Sequence, residues 1–200
     1  MINNIPVSLL SNIGSYELDM QGAKVKVSVV DNSAVIDAKI EEFKSSLKTL
    51  QRRVVGLDIK FGKTISENKT TANILLLCVG NSCLIIQLLN FPVFPETLVE
   101  FLSDETICFL GGVTYFQGSV FVKCKTGVEI GYLAAKIMRK PDIEKNGLAE
   151  LAGEVGMDIK QPIGSCPDWN AKVFSDEEIR YAMHNAYTSY VIGNKLFGMV

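Results

Sequence analysis

The chain has 200 residues, of which 48% are hydrophobic and 21% charged, and its formal net charge is −2 at pH 7. This length and composition predict one globular domain with a sizeable core. The small charge excludes a chain-wide attraction to nucleic acid, although it is compatible with a local basic groove. The five cysteines include no CxxC pair and there is one histidine, so we predict reduced core cysteines, an intracellular protein and no zinc site.

The N-terminus and the apolar runs argue against secretion and membrane insertion. The opening MINNIPVSLLSNIGS lacks the charged region and the long apolar region of a signal peptide. The runs ILLLCV and LIIQLL are separated by Gly80-Asn81-Ser82, and neither is long enough to span a bilayer. We therefore expect a protein of the cytoplasm, the nucleus or both, with no membrane partner.

The first half of the chain is predicted to be rich in strands. Alternation of polar and apolar residues indicates a strand, and apolar residues at helical spacing indicate a helix. The predicted elements are a hairpin of Ser15–Met20 and Lys24–Val30, a helix over Ser33–Leu50 with Ser33 as its N-cap, a buried strand within Arg52–Phe61, a mobile loop over Gly62–Asn73, and strands Ile74–Val79 and Cys83–Leu89 joined by a turn at Gly80-Asn81.

The second half is predicted to contain mainly helices after one more strand. Its elements are a short helix Glu96–Leu102, a strand Thr106–Gly111, an ambiguous segment Val113–Lys125, helices Gly131–Arg139 and Gly147–Val155, an irregular stretch Lys160–Val173 and a long helix Ser175–Gly193 that begins with a Ser175/Glu178 capping box. This order predicts an α/β (α+β) layered fold, with a mixed sheet of five or six strands flanked by helices.

Asp58 is a carboxylate inside the apolar run VVGLDIKF. A buried carboxylate is costly unless it is paired or binds a metal ion. Lys60 lies two residues further along the predicted strand, so its side chain is expected on the same face. The residues leave two interpretations open, an internal ion pair between Asp58 and Lys60 or residual metal binding by Asp58.

Several longer stretches together resemble one enzyme family. They are VVGLDIKF, ILLLCVGNSCLIIQLL, ETLVEFLSDETICFLGG, NGLAELAGEVGMDI and DWNAKVFSDEEIRYAMHNAYTSYVIG. Their order resembles the plant Werner-syndrome-like 3′–5′ exonuclease family, of the DEDD type with a tyrosine (DEDDy), on the RNase H-like or DnaQ-like fold. The resemblance implies an exonuclease-like domain over residues 33–198, with an N-terminal β-hairpin extension over residues 1–32 packed on it.

The family's chemistry uses four carboxylates to hold two divalent metal ions roughly 3.5–4 Å apart. The resemblance aligns Asp58 and Lys60 with the Asp-x-Glu motif, Gln117 with the second-motif Asp, and Tyr181 and Asn185 with the Tyr-x-x-x-Asp motif. Asp58 and Tyr181 are thus the metal-binding and catalytic candidates, whereas the other three positions have lost their carboxylates. Because Mg²⁺ requires charged oxygen ligands, we infer that two-metal catalysis is lost.

The expected function follows from this resemblance. It is a catalytically degenerate exonuclease-fold protein that binds RNA or single-stranded DNA, or that forms homo- or hetero-oligomers with paralogous exonuclease-fold proteins. The RISC-interacting clearing exoribonucleases share this fold and form rings, an analogy of fold alone. The alternative is an active 3′–5′ exonuclease with an altered or subunit-shared site. The first function requires no cofactor, whereas the second requires Mg²⁺ or Mn²⁺.

Other polar and aromatic residues allow both a structural and a functional interpretation. His184 is expected to be structural, and Tyr181 either orients a water molecule or packs as an aromatic side chain. Glu177 and Glu178 either supply a substitute carboxylate, or they cap the last helix or lie solvated on its surface. A solvated basic face or a phosphate-contacting rim is formed by Lys123, Lys125, Lys136, Arg139 and Lys140. Core packing or base stacking is expected of Phe91, Phe94, Tyr115 and Phe116.

Overall fold

Seven strands in the described residues form one mixed sheet. The computed structural model describes residues 5–63, 70–91, 93–111 and 124–200. The strands are β1 (Ser15–Met20), β2 (Ala23–Val30), β3 (Val54–Lys63), β4 (Thr70–Val79), β5 (Ser82–Gln87), β6 (Cys108–Gly111) and β7 (Gly127–Val128). Their spatial order is β1-β2-β5-β4-β3-β6-β7. Strand pairs β2/β5, β3/β6 and β6/β7 are parallel, and the other neighbours are antiparallel.

Helices flank this sheet, so the predicted mixed sheet with flanking helices is confirmed. The helices are α1 (Val7–Ile13), α2 (Ser33–Thr49), α3 (Glu96–Ser103), α4 (Ile130–Met138), α5 (Leu148–Glu154) and α6 (Asp176–Phe197). Short 3₁₀ turns occur at Leu88–Asn90 and Pro141–Lys145. No helix in the described ranges combines the length and the apolar character needed to cross a membrane.

Strand β3 lies near the middle of the sheet and is covered on both faces. Val55, Leu57 and Ile59 belong to the core cluster that contains the apolar side chains of α2 and α3. Successive residues of a strand point to opposite faces, so Asp58 and Lys60 point to the other face. That face is covered by α6, whose apolar side chains form a second cluster with β1, β2, β4 and β5. The polar pair of β3 is thereby placed beneath the last helix.

The predicted hairpin is present, and the structure explains its tight turn. Gln21 and Gly22 have φ angles of 52° and 81°. Positive φ at both central residues is characteristic of the type I′ turn that closes two-residue hairpins. Strand β2 pairs directly with β5, so the hairpin forms one edge of the main sheet.

Three predicted details are wrong. The N-cap of α2 is Asn32 rather than Ser33, since Asn32 Oδ1 accepts hydrogen bonds from the backbone N–H groups of Ala34 (3.0 Å) and Val35 (3.3 Å). The segment predicted as a loop over Gly62–Asn73 instead extends β3 and β4 at its two ends. The described residues form seven strands rather than five or six. The hairpin adds its strands to the sheet, and the two-residue strand β7 is too short to show a periodicity in the sequence. Helix α1 was also not predicted.

Candidate functional site

Strand β3 and helix α6 approach closely where the candidate site lies. A Cβ atom on Gly56 would stand 2.1 Å from the backbone oxygen of Ala186, a separation that no side chain tolerates. Glycine at position 56 therefore allows α6 to rest directly on β3. This contact brings the next residue on the same face of β3, Asp58, up to the helix that carries Asn185.

Asp58 and Lys60 form an ion pair, one of the two interpretations that the sequence left open. Lys60 Nζ lies 2.5 Å from Asp58 Oδ2, and the side chains are only 13% and 10% exposed, respectively. Among the described residues, the buried Oδ2 accepts no hydrogen bond of normal geometry, so its partner there is the ammonium charge itself. A charge pair shielded from water is screened much less than a surface pair. The lysine therefore neutralises the carboxylate that the family resemblance assigns to the metal.

A cleft of about 700 Å³ opens beside this pair. Asp58 and Asn185 line one wall, together with Gly111 at the end of β6. Glu129 follows β7 and Glu144 lies in the 3₁₀ turn after α4, and both line the same cleft. The cleft thus lies at the carboxyl ends of two parallel strands, the edge where ligands bind in sheets of this kind.

The described residues do not fit a two-metal centre. The positions that the resemblance aligns with the family's first and third motifs carry one carboxylate, Asp58, already paired with a lysine, and one neutral amide, Asn185. The second-motif position, Gln117, lies outside the described residues. Within the described ranges, no group of three or more His, Cys, Asp or Glu side chains is placed to hold a metal ion. Two hard dications require several charged oxygen ligands, which this arrangement does not supply.

Lys60 also lies over the ring of Trp169, which packs against Tyr181. Its Nζ lies 5.8 Å from the centroid of the Trp169 ring, within cation–π range. The Trp169 ring is in turn 6.2 Å from the ring of Tyr181, at an interplanar angle of 41°. The candidate catalytic tyrosine therefore packs against a buried tryptophan, and its role, catalytic or structural, stays a prediction.

Two buried amides hold the loop that carries Trp169. Asn73 Nδ2 on β4 donates to the Trp169 backbone oxygen (3.2 Å) and to Asn170 Oδ1 (2.8 Å). Gln87 Nε2 at the end of β5 donates to the backbone oxygens of Ala171 (3.2 Å) and Lys172 (3.1 Å). Strands β4 and β5 thus fix the irregular segment before α6, and with it the ring that Lys60 contacts.

Replacing Asn73 is expected to loosen this loop. Asn73→Ala leaves the buried Trp169 carbonyl without its partner, which costs about 1–3 kcal/mol of unfolding free energy. Trp169 is the single tryptophan of the chain, so its fluorescence emission should shift to longer wavelength as water reaches the ring. Asn12→Ala is the control, because Asn12 is exposed on α1, away from this loop, and its loss should cost under about 0.5 kcal/mol. Equal effects of the two variants in urea denaturation would contradict this role of Asn73.

His184 is buried on α6 near the ion pair. It is 6% exposed, and its Nε2 has no hydrogen-bond partner in the part of the chain that the structure describes. Burial lowers the pKa of His184 below its ordinary value of 6.5, and the positive charge of Lys60 lowers it further. The imidazole is therefore neutral at pH 7, in agreement with the structural role expected from the sequence.

The titration of His184 can be measured directly, because it is the one histidine in the chain. The folded chain holds this proton less tightly than the unfolded chain. Stability from the neutral imidazole is therefore present above pH 6.5 and is lost as the pH falls through the folded-state pKa. We expect an NMR midpoint below 6.5 that rises in Lys60→Met and stays unchanged in Lys24→Met, whose lysine pairs with Glu17 on the exposed hairpin. A midpoint at or above 6.5 would contradict the assignment.

The remaining predicted residues take mainly structural positions. Glu178 Oε2 accepts a hydrogen bond from Ser175 N at 2.8 Å, which confirms the capping box, and Glu177 lies 3.8 Å from Arg180. Phe91 and Phe94 pack against the α2/α3 core cluster rather than in the cleft. Two of the predicted basic residues form surface ion pairs, Lys125 with Glu105 and Lys140 with Glu154. Lys123, Tyr115 and Phe116 lie outside the described residues.

The sequence did not point to three residues that line the cleft, or to the tryptophan beside Lys60. Trp169 lies within one of the stretches that resemble the family, whereas Tyr132, Glu129 and Glu144 belong to no predicted site. Glu129 directly follows a strand that runs parallel to β6, a position where side chains from neighbouring parallel strands converge. The signal was hidden because β7 is two residues long and could not be predicted.

Comparisons with known proteins give a fold and no closer assignment. No protein-family model matches the chain, and no curated protein sequence matches it significantly. Among solved structures, the Aedes aegypti Nibbler EXO domain is similar with a TM-score of 0.66 and 12% identity, over 86% of this chain and 88% of that one. Trypanosoma brucei RNase D gives 0.65 and 19%, over 86% and 64%.

Escherichia coli RNase D, described as an exoribonuclease involved in structured RNA processing, gives a TM-score of 0.64 and 15% identity, over 86% of this chain and 44% of that one. At such identities the likeness establishes the fold alone. The seven-stranded mixed sheet with its flanking helices is the RNase H-like α/β fold of 3′–5′ exonuclease domains.

Proposed function

We propose that this chain is a degenerate member of the Werner-like DEDDy exonuclease family, which binds single-stranded nucleic acid in its cleft without cleaving it. The observation that carries the proposal is the Asp58–Lys60 ion pair at the first metal-binding position. An ammonium in that place repels divalent cations and satisfies the carboxylate they would need. The cleft beside the pair nevertheless remains open.

The size and the polarity of the cleft suit a nucleotide. A volume of about 700 Å³ falls within the ordinary range of small-ligand pockets, about 300–1,000 Å³. Its wall presents oxygen acceptors from Asp58, Glu144 and Asn185. Such acceptors can bind ribose hydroxyls and base amino groups, whereas they repel phosphate. We therefore place the phosphates at the rim and the sugar and base inside.

The rim carries an aromatic side chain with a lysine over it. Tyr132 on α4 lines the cleft and is 47% exposed. Lys136, one helical turn further on, lies with its Nζ 5.5 Å from the Tyr132 ring centroid. An exposed ring stacks on a base, and a neighbouring ammonium contacts the backbone phosphate. This gives Lys136, one of the predicted basic residues, a specific role.

Gel retardation of a single-stranded oligonucleotide tests the proposal. We expect retardation that persists in EDTA and weakens with salt. Tyr132→Ala should weaken binding about 5–150-fold, the equivalent of one stacked base, and Lys136→Ala should reduce the slope of log affinity against log salt by about 1. Lys24→Ala, on the exposed hairpin, is the control. Binding that requires Mg²⁺, or that ignores Tyr132, would refute the proposed mode.

One observation favours the alternative of an active enzyme. Glu129 and Glu144 line the same cleft as Asp58, so carboxylates from outside the family motifs are present on its wall. In that case Mg²⁺ or Mn²⁺ would be required, and Glu144→Gln would abolish cleavage by the otherwise unmodified chain.

Formation of homo- or hetero-oligomers, and residence in the cytoplasm, the nucleus or both, remain part of the proposal. Light scattering that shows only monomer would remove oligomerisation from it.

A further inference from the structure

Two cysteines face each other in the core beneath α6. Cys78 on β4 and Cys83 on β5 are direct partners in the antiparallel register. The Cys83 thiol donates to Cys78 Sγ at a sulfur–sulfur distance of 2.9 Å. Both are buried and belong to the cluster that includes Ala186 and Tyr187 of α6. The proposed function uses neither of them.

The backbone between these thiols is already suited to a covalent bond. The strands are joined by a two-residue turn in which Gly80 has a φ of 58°, and Val79 pairs with Ser82 next to it. Directly opposed residues in antiparallel strands have Cα atoms about 4.5–5.5 Å apart. Disulfides span about 4.4–6.8 Å between Cα atoms, so a bond requires movement of the side chains alone.

We propose that Cys78 and Cys83 are an oxidation site that forms a cross-strand disulfide in the presence of a small-molecule disulfide such as oxidised glutathione. One protein thiolate attacks a glutathione sulfur, the glutathione S–S bond breaks, and one glutathione leaves as its thiol. The second protein thiolate attacks the mixed disulfide and releases the second glutathione. Two protein thiols are oxidised and one glutathione disulfide is reduced to two thiols, so electrons and protons balance.

The surroundings determine when this reaction occurs. Burial raises the pKa of Cys83 well above its usual range, and its contact with Cys78 adds to the shift. Because only the thiolate attacks a disulfide, the folded pair reacts slowly. The turn residue Asn81 is exposed, so solvent reaches the hairpin only two residues from Cys83. We therefore expect fast oxidation during refolding and slow oxidation of the folded chain.

The competing pair is Cys108 and Cys124. These two thiols lie close enough for their charges to interact, and burial raises the pKa of Cys124 to about 11. Cys166 is exposed. A variant with Cys108→Ala, Cys124→Ala and Cys166→Ala keeps only the proposed pair, so any intramolecular disulfide in it must join Cys78 to Cys83.

The test is refolding of this triple variant from urea in a glutathione redox buffer, followed by alkylation in denaturant and intact mass measurement. We expect a product two hydrogens lighter, without alkyl groups, whose melting temperature exceeds that of the reduced form by about 4–8 °C. Adding Cys78→Ala should abolish both effects. If the triple variant does not fold, tandem mass spectrometry of the unmodified chain assigns the bond instead. Full alkylation of both cysteines after oxidative refolding, or a Cys108–Cys124 bond with the proposed pair still reduced, would overturn the proposal.

Discussion

Lys60→Met should destabilise the chain by about 3–5 kcal/mol in urea denaturation at neutral pH. The substitution removes the ammonium that lies 2.5 Å from Asp58 Oδ2 and leaves a carboxylate in a site that is 10% exposed. An uncompensated buried charge accounts for a loss of this size. Methionine fills a similar volume, so lost packing contributes little. The cation–π contact with the buried Trp169 ring adds about 2 kcal/mol.

A double-mutant cycle separates the ion pair from the packing. Asp58→Asn combined with Lys60→Met removes both charges, and we expect it to recover most of the lost stability. The Lys24→Met control breaks a solvent-exposed pair with Glu17 and should cost less than about 1 kcal/mol. If Lys60→Met is as mild as Lys24→Met, Asp58 has another counter-charge and the ion pair is not what holds the site.

Restoring the family's carboxylates should create a metal site. In the variant Lys60→Glu, Gln117→Asp and Asn185→Asp, every position matched to the family's motifs carries its acid, with Asp58 as the fourth. Without metal, repulsion among these carboxylates destabilises the fold. Mn²⁺ at 100 times its dissociation constant should stabilise it by about 2.7 kcal/mol, a rise in melting temperature of about 5–11 °C.

The matched control keeps the sites polar but adds no charge. Lys60→Gln with Gln117→Asn should show no melting shift in Mn²⁺, and neither should the unmodified chain. A shift in the unmodified chain would mean that other residues, with Glu129 and Glu144 the first candidates, already bind metal. If the restored variant folds and shows no shift, the placement of Gln117 is wrong. That position lies outside the described residues, so its placement rests on the resemblance alone.

Much of the fold could be predicted because its strands carry strong local signals. The hairpin turn Gln21-Gly22 and the apolar runs of β3, β4 and β5 each specify their own conformation. The start of helix α6 was predictable from the Ser175/Glu178 capping box. Short elements could not be predicted: β7 has two residues, and the extension of β4 through Asn73 depends on side-chain bonds to the distant Trp169 loop.

The site was predictable only where residues are close in sequence. Asp58 and Lys60 are two apart on one strand, so alternation alone places them together. Trp169 lies against Lys60 although the two are more than one hundred positions apart in the sequence. Glu129 and Glu144 line the cleft only because of the way the chain folds after β7. Sequence periodicity contains no information on such distances. The roles of Tyr181 and Asn185 rest on the resemblance, and the structure adds only their surroundings.

The proposed loss of two-metal catalysis is tested most directly by a time course on a 3′-labelled single-stranded oligonucleotide. RNA and DNA are run in parallel in Mg²⁺ and in Mn²⁺, with Asp58→Ala as the matched variant and an active exonuclease domain as the positive control. We predict no shortening from the 3′ end, and no difference between the unmodified chain and Asp58→Ala. Metal-dependent shortening that disappears in Asp58→Ala would contradict the loss of the metal site and establish an active enzyme.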